Sequence, residues 1–187
     1  MAKESLSEQA YRLIRDMIVR LELTPGAVVR EDDLQERLEI GRTPIREALQ
    51  RLARDQFLVV IPRRGMSVSN IEIAELSTLY ETRAILEPYV ARLACERGSV
   101  DHWKQMRKVL DNAKKQASTA QDQIQFDAQC HEIVWEAAGN RFLTDTLDVL
   151  YAQSDRLWHM YLSDVADMGH ALDEHDEILA ALESGDS

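Results

Sequence analysis

Four polar residues stand where helical spacing calls for apolar ones. Arg83 interrupts a stripe of Leu76, Leu79, Leu86, Val90 and Leu93. Asp127 and His131 interrupt a second stripe of Ile124, Val134 and Ala138, flanked by Phe126, Cys130 and Ile133. His175 interrupts a third, made of Leu172, Ile178, Leu179 and Leu182. Residues at these spacings share one helix face, so all four should point inward. Burying such groups without partners is expensive, and they need one another, a metal or a ligand. Asp127 and His131 lie four apart, on adjacent turns of one face, which is a chelating arrangement. His175 would add a third ligand from another helix. Imidazole and carboxylate together suit Zn²⁺, Ni²⁺, Mn²⁺ or Fe²⁺.

A second set of residues could do different chemistry. Ile45, Ala48, Leu49 and Leu52 form the buried stripe of a helix starting near Thr43, with Pro44 in its first turn, where a missing N–H costs little. The opposite side presents Arg42, Thr43, Arg46 and Gln50, of which Arg42, Arg46 and Gln50 are spaced by four. Arginine grips guanine O6 and N7 with two hydrogen bonds. Thr43 and the helix N-terminus suit a phosphate. Farther on, Phe57–Ile61 and Met66–Ser69 read as strands around the turn Pro62-Arg63-Arg64-Gly65. Arg63 and Arg64 at that tip can reach a neighbouring groove, and Gly65 lets the backbone approach closely.

These groups require particular elements to hold them. Ser5-x-x-Glu8 is a helix-capping pattern, and Leu6, Ala10, Leu13, Ile14, Met17, Ile18 and Leu21 follow at helical spacing. Thr24-Pro25-Gly26 ends that helix. A short second helix carries Glu31, Asp32 and Asp33 in its first turn, where the helix dipole favours acids. Ile40-Gly41-Arg42 is then a tight turn into the arginine-bearing helix. Helix, helix, turn, helix and basic hairpin make a winged helix-turn-helix over residues 1–70, whose third helix presents its N-terminal end to the major groove. Residues 71–187 read as helices near 73–97, 100–117, 120–138, 141–163 and 170–183, an all-α bundle. The expected fold class is therefore mainly α, in two domains.

Composition agrees with that division. The chain has 187 residues, 45% hydrophobic and 29% charged, with 7 Gly and 4 Pro, which excludes a disulfide-stapled miniprotein and a low-complexity chain. No run approaches the roughly 18 apolar residues of a membrane helix, so no membrane partner is expected. The N-terminus lacks an apolar signal core, which implies a cytoplasmic protein. Cys95 and Cys130 fit reduced core thiols. The net charge of −11 hides an asymmetry: residues 1–70 carry a net +1 and residues 71–187 a net −12. Six arginines fall within residues 40–65 against only Glu47 and Asp55. A basic patch on a neutral front and an acidic rear imply two jobs.

The stretch GRTPIREALQRLARDQFLVVIPRRGMSV, together with the earlier LTPGAVVREDDL, resembles the core signature of the GntR family of bacterial transcription regulators. The resemblance implies that Arg42 and Arg46 read bases, that Thr43 contacts phosphate and that Gly65 is a wing-tip contact. Gly41 departs from the family's usual serine, a slightly weaker helix cap. YETRAILEPYVARLA, FDAQCHEIVWEAAGN and DEHDEILAALESGD resemble three segments of the FCD ligand-binding domain of the FadR-like branch. That likeness implies metal ligation by Asp127, His131 and His175, with Zn²⁺ the leading choice. It also implies a fourth histidine on a terminal helix; the sequence stops at Ser187 before one, so either the chain is truncated or that helix is absent. His170, water or an effector would then take the fourth place. Such domains bind small organic acids, whose carboxylate completes the metal's shell. Arg83 becomes the second anchor for that effector, since guanidinium pairs with carboxylate through two hydrogen bonds; an ion pair with Glu87 is compatible with this. Ser154, which interrupts the seam Leu143, Leu147, Leu150, Leu157 and Tyr161, would either hydrogen-bond the effector or bond back to its own helix.

The expected function is a homodimeric, ligand-responsive transcription regulator on a pseudo-palindromic double-stranded operator, repression being the commoner sign in such families. The alternative is a metal-dependent hydrolase fused to a DNA-binding domain. Against it, Glu132 and Glu136 lie off the seam and no general base stands beside the ligands. A purely architectural DNA binder would leave the inward Arg, Asp and two His unexplained.

Overall fold

A computed structural model of the chain describes residues 4–161 and 169–185. Its contacts divide into two compact units, one built on the chain up to residue 76 together with residues 152–160, the other on residues 77–151 and the chain from 161 onward.

In the first unit, α1 (Leu6–Val19) starts where the Ser5 hydroxyl accepts a hydrogen bond from the Glu8 amide at 3.1 Å, satisfying one of the amides that every helix start leaves over. A two-residue strand β1 (Val28–Val29) precedes α2 (Glu31–Leu38), which ends at Glu39 in the left-handed region with φ +54°. That reversal buries Ile40 and turns the chain into α3 (Arg42–Arg54). Ala10, Ile14 and Ile18 of α1 meet the Ile45, Leu49 and Leu52 stripe of α3 in a core where every one of these side chains is buried. Tyr11 adds a polar clasp: its hydroxyl donates to Asp55 Oδ2 at 2.8 Å, and the Arg51 guanidinium lies 3.8 Å from its ring centroid. Arg51 is therefore structural, drawn off the basic patch to Tyr11 and to Glu8 at 2.6 Å.

The wing is β2 (Leu58–Ile61) and β3 (Gly65–Val68), paired antiparallel with Ile61 opposite Gly65 and Leu58 opposite Val68. β2 starts one residue later than the expected Phe57–Ile61, and β3 keeps the expected length but lies one residue earlier than Met66–Ser69. The sheet also has a third member that pattern reading missed: β1 pairs with β3, giving the order β1-β3-β2. Two residues are too few to show alternation. Residues 152–160 join this unit through Arg156, which is fully buried and donates from Nη1 to Ser69 Oγ at 2.9 Å and from Nη2 to the Ser69 carbonyl. Gln153 adds a bond to the Asp55 carbonyl at 3.2 Å.

The second unit is helical. α4 (Ile73–Arg97), α5 (Val100–Gln116), α6 (Ala120–Ala138), α7 (Arg141–Tyr161) and α8 (Gly169–Ser184) follow the spacing closely. α5 packs on α6 and α8, and α6 on α8. The core is Val90 and Leu93 of α4, Met106 and Leu110 of α5, Cys130 and Ile133 of α6, Leu147 of α7 and Leu179 of α8. Thr119 caps α6 with a reciprocal pair, its hydroxyl accepting from the Asp122 amide at 3.1 Å while Asp122 accepts from the Thr119 amide at 2.9 Å. Two expected seam residues of this unit are displaced: Ile178 is 40% exposed and Tyr161 41%. His175, Leu179 and Leu182 form the buried stripe, and Ile178 falls on its outer flank.

The α4–α5 corner depends on Gly98. A Cβ there would come within 2.2 Å of the Trp103 ring and 2.6 Å of the Ala94 carbonyl oxygen. Trp103 is buried and cannot swing aside. Gly98→Ala should therefore destabilise the second unit by about 1–3 kcal/mol, the usual cost of overpacking, read as an earlier denaturation midpoint in tryptophan fluorescence.

Candidate DNA-binding surface and metal centre

α3 carries its charge on the side away from its core. Arg42, Thr43, Arg46 and Gln50 are all exposed, while Ile45, Ala48, Leu49 and Leu52 are buried. Gly41 provides the N-cap with extended backbone and no side-chain hydrogen bond, so the first amides of α3 are left for another acceptor. Arg42 Nη2 donates to Asp32 Oδ1 of α2 at 2.7 Å, with both side chains largely exposed. An exposed pair of this kind is worth about 0–1 kcal/mol, so a phosphate or a guanine edge can displace Asp32. At the wing tip the Arg64 amide donates to the Ile61 carbonyl at 3.0 Å, closing the turn. Arg63, Arg64 and Gly65 are exposed there. Gly65 has φ +92° with open space where a Cβ would stand, so the backbone angle rather than crowding demands glycine.

The second cluster lies within the helical unit. Asp127 and His131 of α6 and His175 of α8 present donor atoms that all lie within 4.8 Å of one another. Asp127 Oδ1 is 3.5 Å from His175 Nε2, and Asp127 Oδ2 is 3.7 Å from His131 Nε2. Ligands about 2.1 Å from a tetrahedral Zn²⁺ stand about 3.4 Å apart, so the separations fit a shared ion with small adjustment. Asp127 and His175 are buried and His131 partly so. Burial is the main reason the His131 pKa is lowered, outweighing the attraction of Asp127. A neutral imidazole is the form that ligates a metal. Cys130, next in the chain to His131, is no rival ligand, because burial pushes its thiol up to about 12 and the thiolate is the binding form.

Arg83 of α4 reaches the same cluster. It is buried, it is held by Glu87 with Nε 2.7 Å from Oε1, and its guanidinium lies 5.3 Å from the Tyr151 ring centroid. Tyr151 of α7 in turn donates its hydroxyl to Asp127 Oδ2 at 2.5 Å and sets its ring 5.1 Å from that of His131. The structure thus brings Arg83, Asp127, His131 and His175 together, as the interrupted seams implied. Ser154 is buried and belongs to the segment that groups with the first unit. The side chain of His170 lies outside the described residues. Tyr151 escaped the sequence reading, although it stands four residues after the fully buried Leu147, on the same face of α7. Glu132 and Glu136 are exposed.

Two family profiles cover nearly the whole chain: "Bacterial regulatory proteins, gntR family" over residues 6–68 and "FCD domain" over residues 78–187. The chain belongs to the GntR family. It falls in the FadR-like branch that carries an FCD domain, and it is a DNA-binding transcription regulator rather than an enzyme. That sets the hydrolase reading aside. Among its relatives is the HTH-type transcriptional repressor RspR of Escherichia coli (strain K12), 27% identical over 185 residues, which span 98% of this chain and 81% of that protein. The Nta operon transcriptional regulator of Aminobacter aminovorans is 33% identical over 116 residues, 62% of this chain and 55% of that protein. Among solved structures, E. coli McbR/YncC superposes with a TM-score of 0.83 at 23% identity, covering 98% of this chain and 89% of that one. A putative GntR regulator from Rhodococcus sp. RHA1 gives 0.73 at 21% identity, covering 98% and 88%. These two likenesses concern the fold. Among the described residues, no helix is long and apolar enough to cross a membrane.

The exposed arginines generate a direct expectation. With an operator selected from a random duplex pool, Arg42→Ala and Arg46→Ala should each cost about 1–3 kcal/mol of discrimination against random DNA. Arg64→Ala should weaken operator and random DNA about equally and flatten the salt dependence. Fluorescence anisotropy titrations at two salt concentrations measure both effects.

Proposed function

We propose that this GntR-family chain is a ligand-responsive repressor that acts as a homodimer in the cytoplasm. In this reading it holds a divalent metal, Zn²⁺ first among the candidates, on Asp127, His131 and His175. It senses a small organic acid there and binds a pseudo-palindromic operator through residues 1–70. Residues 71–187 serve as the effector domain. Arg42, Arg46 and Gln50 read bases, Thr43 and the free amides of α3 hold phosphate, and Arg63, Arg64 and Gly65 contact the backbone or the neighbouring groove. The single observation that carries the proposal is the convergence of three metal-type donors and one buried guanidinium in an otherwise apolar bundle.

The chemistry follows from the donors. Bound at this site, the metal supplies a Lewis-acidic centre for a carboxylate. This chain's own residues do the rest. The two imidazoles and Asp127 hold the ion. Arg83 recruits the acid's second anionic group by exchanging its pairing with Glu87, and guanidinium favours bidentate carboxylate recognition. The surrounding aliphatic side chains exclude water, which strengthens both interactions. Occupancy alters DNA affinity only if the acid binds the DNA-competent and DNA-incompetent states with different free energies. The name of RspR, a repressor, supports the sign.

A thermal-shift screen of mono- and dicarboxylic acids tests this, run on metal-stripped protein with and without added Zn²⁺. A ligand of the folded state raises the melting temperature by mass action, about 2.7 kcal/mol of stabilisation at one hundred times its Kd. The expected result is a shift that requires Zn²⁺ and is lost in both His131→Ala and Arg83→Ala. A shift that persists in both variants would place the acid elsewhere.

A further inference from the structure

The Asp127 carboxylate is held by a group outside the ligand set. Tyr151 Oη donates at 2.5 Å to Oδ2, the oxygen 3.7 Å from His131 Nε2, while Oδ1 lies 3.5 Å from His175 Nε2. The phenol is itself fixed on three sides. Its ring meets His131 with centroids 5.1 Å apart, meets Trp135 edge-on at 5.9 Å, and carries the Arg83 guanidinium at 5.3 Å. Trp135 is buried, so this packing leaves the ring little rotational freedom. Arg83 is additionally tied down by Glu87.

We infer that Tyr151 is a positioning residue of the metal centre: its hydroxyl engages one oxygen of Asp127 so that the carboxylate serves the ion through the other. The inference rests on the metal reading proposed above and adds to it a specific coordination mode. A short hydrogen bond to an ionised carboxylate is among the strong ones, and it draws negative charge onto Oδ2. A carboxylate attached through Oδ1 alone occupies one coordination position where a chelating one occupies two. That leaves room beside the two imidazoles for an effector carboxylate. Tyr151 also joins the two halves of the binding region, since the ring that supports the Arg83 cation belongs to the phenol that orients Asp127. An acid drawn to Arg83 therefore lies against the group that orients the metal's carboxylate ligand. Partners of this kind govern ligand orientation, and their removal commonly costs 10–100-fold in metal affinity.

The test uses the full chain, stripped of metal and titrated with Zn²⁺ against a chelator of known affinity, as wild type, Tyr151→Phe and His131→Ala. The phenylalanine keeps the ring and its packing, and the melting temperature of the metal-free variant reports whether the fold is retained. The expected result is Zn²⁺ binding by the wild type, loss in His131→Ala, and a 10–100-fold weaker Kd in Tyr151→Phe. A second readout follows the carboxylate itself. Infrared difference spectra of protein labelled with ¹³C at the aspartate carboxyl should show on Zn²⁺ addition the wide splitting of one-oxygen attachment, narrowing in Tyr151→Phe. An unchanged Kd in Tyr151→Phe overturns the inference while leaving the metal reading intact. A narrow splitting in the wild type also overturns it, even if the variant does not fold. Equal Zn²⁺ binding by wild type and His131→Ala, or none by either, defeats the metal reading itself.

Discussion

The cost of placing ionisable groups inside an apolar helical bundle governs the rear of this protein. Asp127, His175 and Arg83 are buried among leucines and tryptophans, with His131 at their edge. Each would lose solvation worth several kcal/mol if left to itself. The fold meets that cost by convergence: α4 brings Arg83, α6 brings Asp127 and His131, α7 brings Tyr151 and α8 brings His175, so that every charge has a counterpart within a few ångströms. Replacing such a set by aliphatic residues often costs nothing in stability.

The front of the chain answers to the opposite constraint. There the charges stay in water and the apolar residues do the folding. α1 and α3 bury one stripe each, and the arginines left on the outside of α3 and on the wing are held loosely, Arg42 by the exposed Asp32. A weak exposed pair is easily exchanged for a phosphate, whereas Arg51, fixed on Tyr11 and Glu8, is not available for such exchange. Arginines of the same helix are thus held in two ways, separated by their partners rather than by residue type.

Much of this was legible in the sequence because the governing signals are local. The 3.6-residue period placed α4 to α8 within a residue or two, and Pro44, Gly41 and the acidic start of α2 marked the helix-turn-helix. The inward set was visible because a charged residue in a leucine seam is conspicuous. What escaped was non-local. β1 is only Val28–Val29 and exists by virtue of its pairing with β3. Ile178 looked internal, but which flank of a stripe is covered depends on the neighbouring helices. Tyr151 reads as another aromatic of α7 until Asp127 is placed opposite it. The association of residues 152–160 with the first unit hangs on Arg156 meeting Ser69, a pair separated by 87 positions.

Operator affinity, measured as a thermodynamic linkage, shows whether occupancy of the buried cluster sets how tightly the exposed arginines hold DNA. Anisotropy titrations with a selected operator, on Zn²⁺-loaded and metal-stripped chain, each with and without a stabilising organic acid, give four affinities. Adding the acid to loaded protein should change the affinity about 5–150-fold, the range of ordinary allosteric coupling, and adding it to stripped protein should change nothing. Four equal affinities would contradict that coupling.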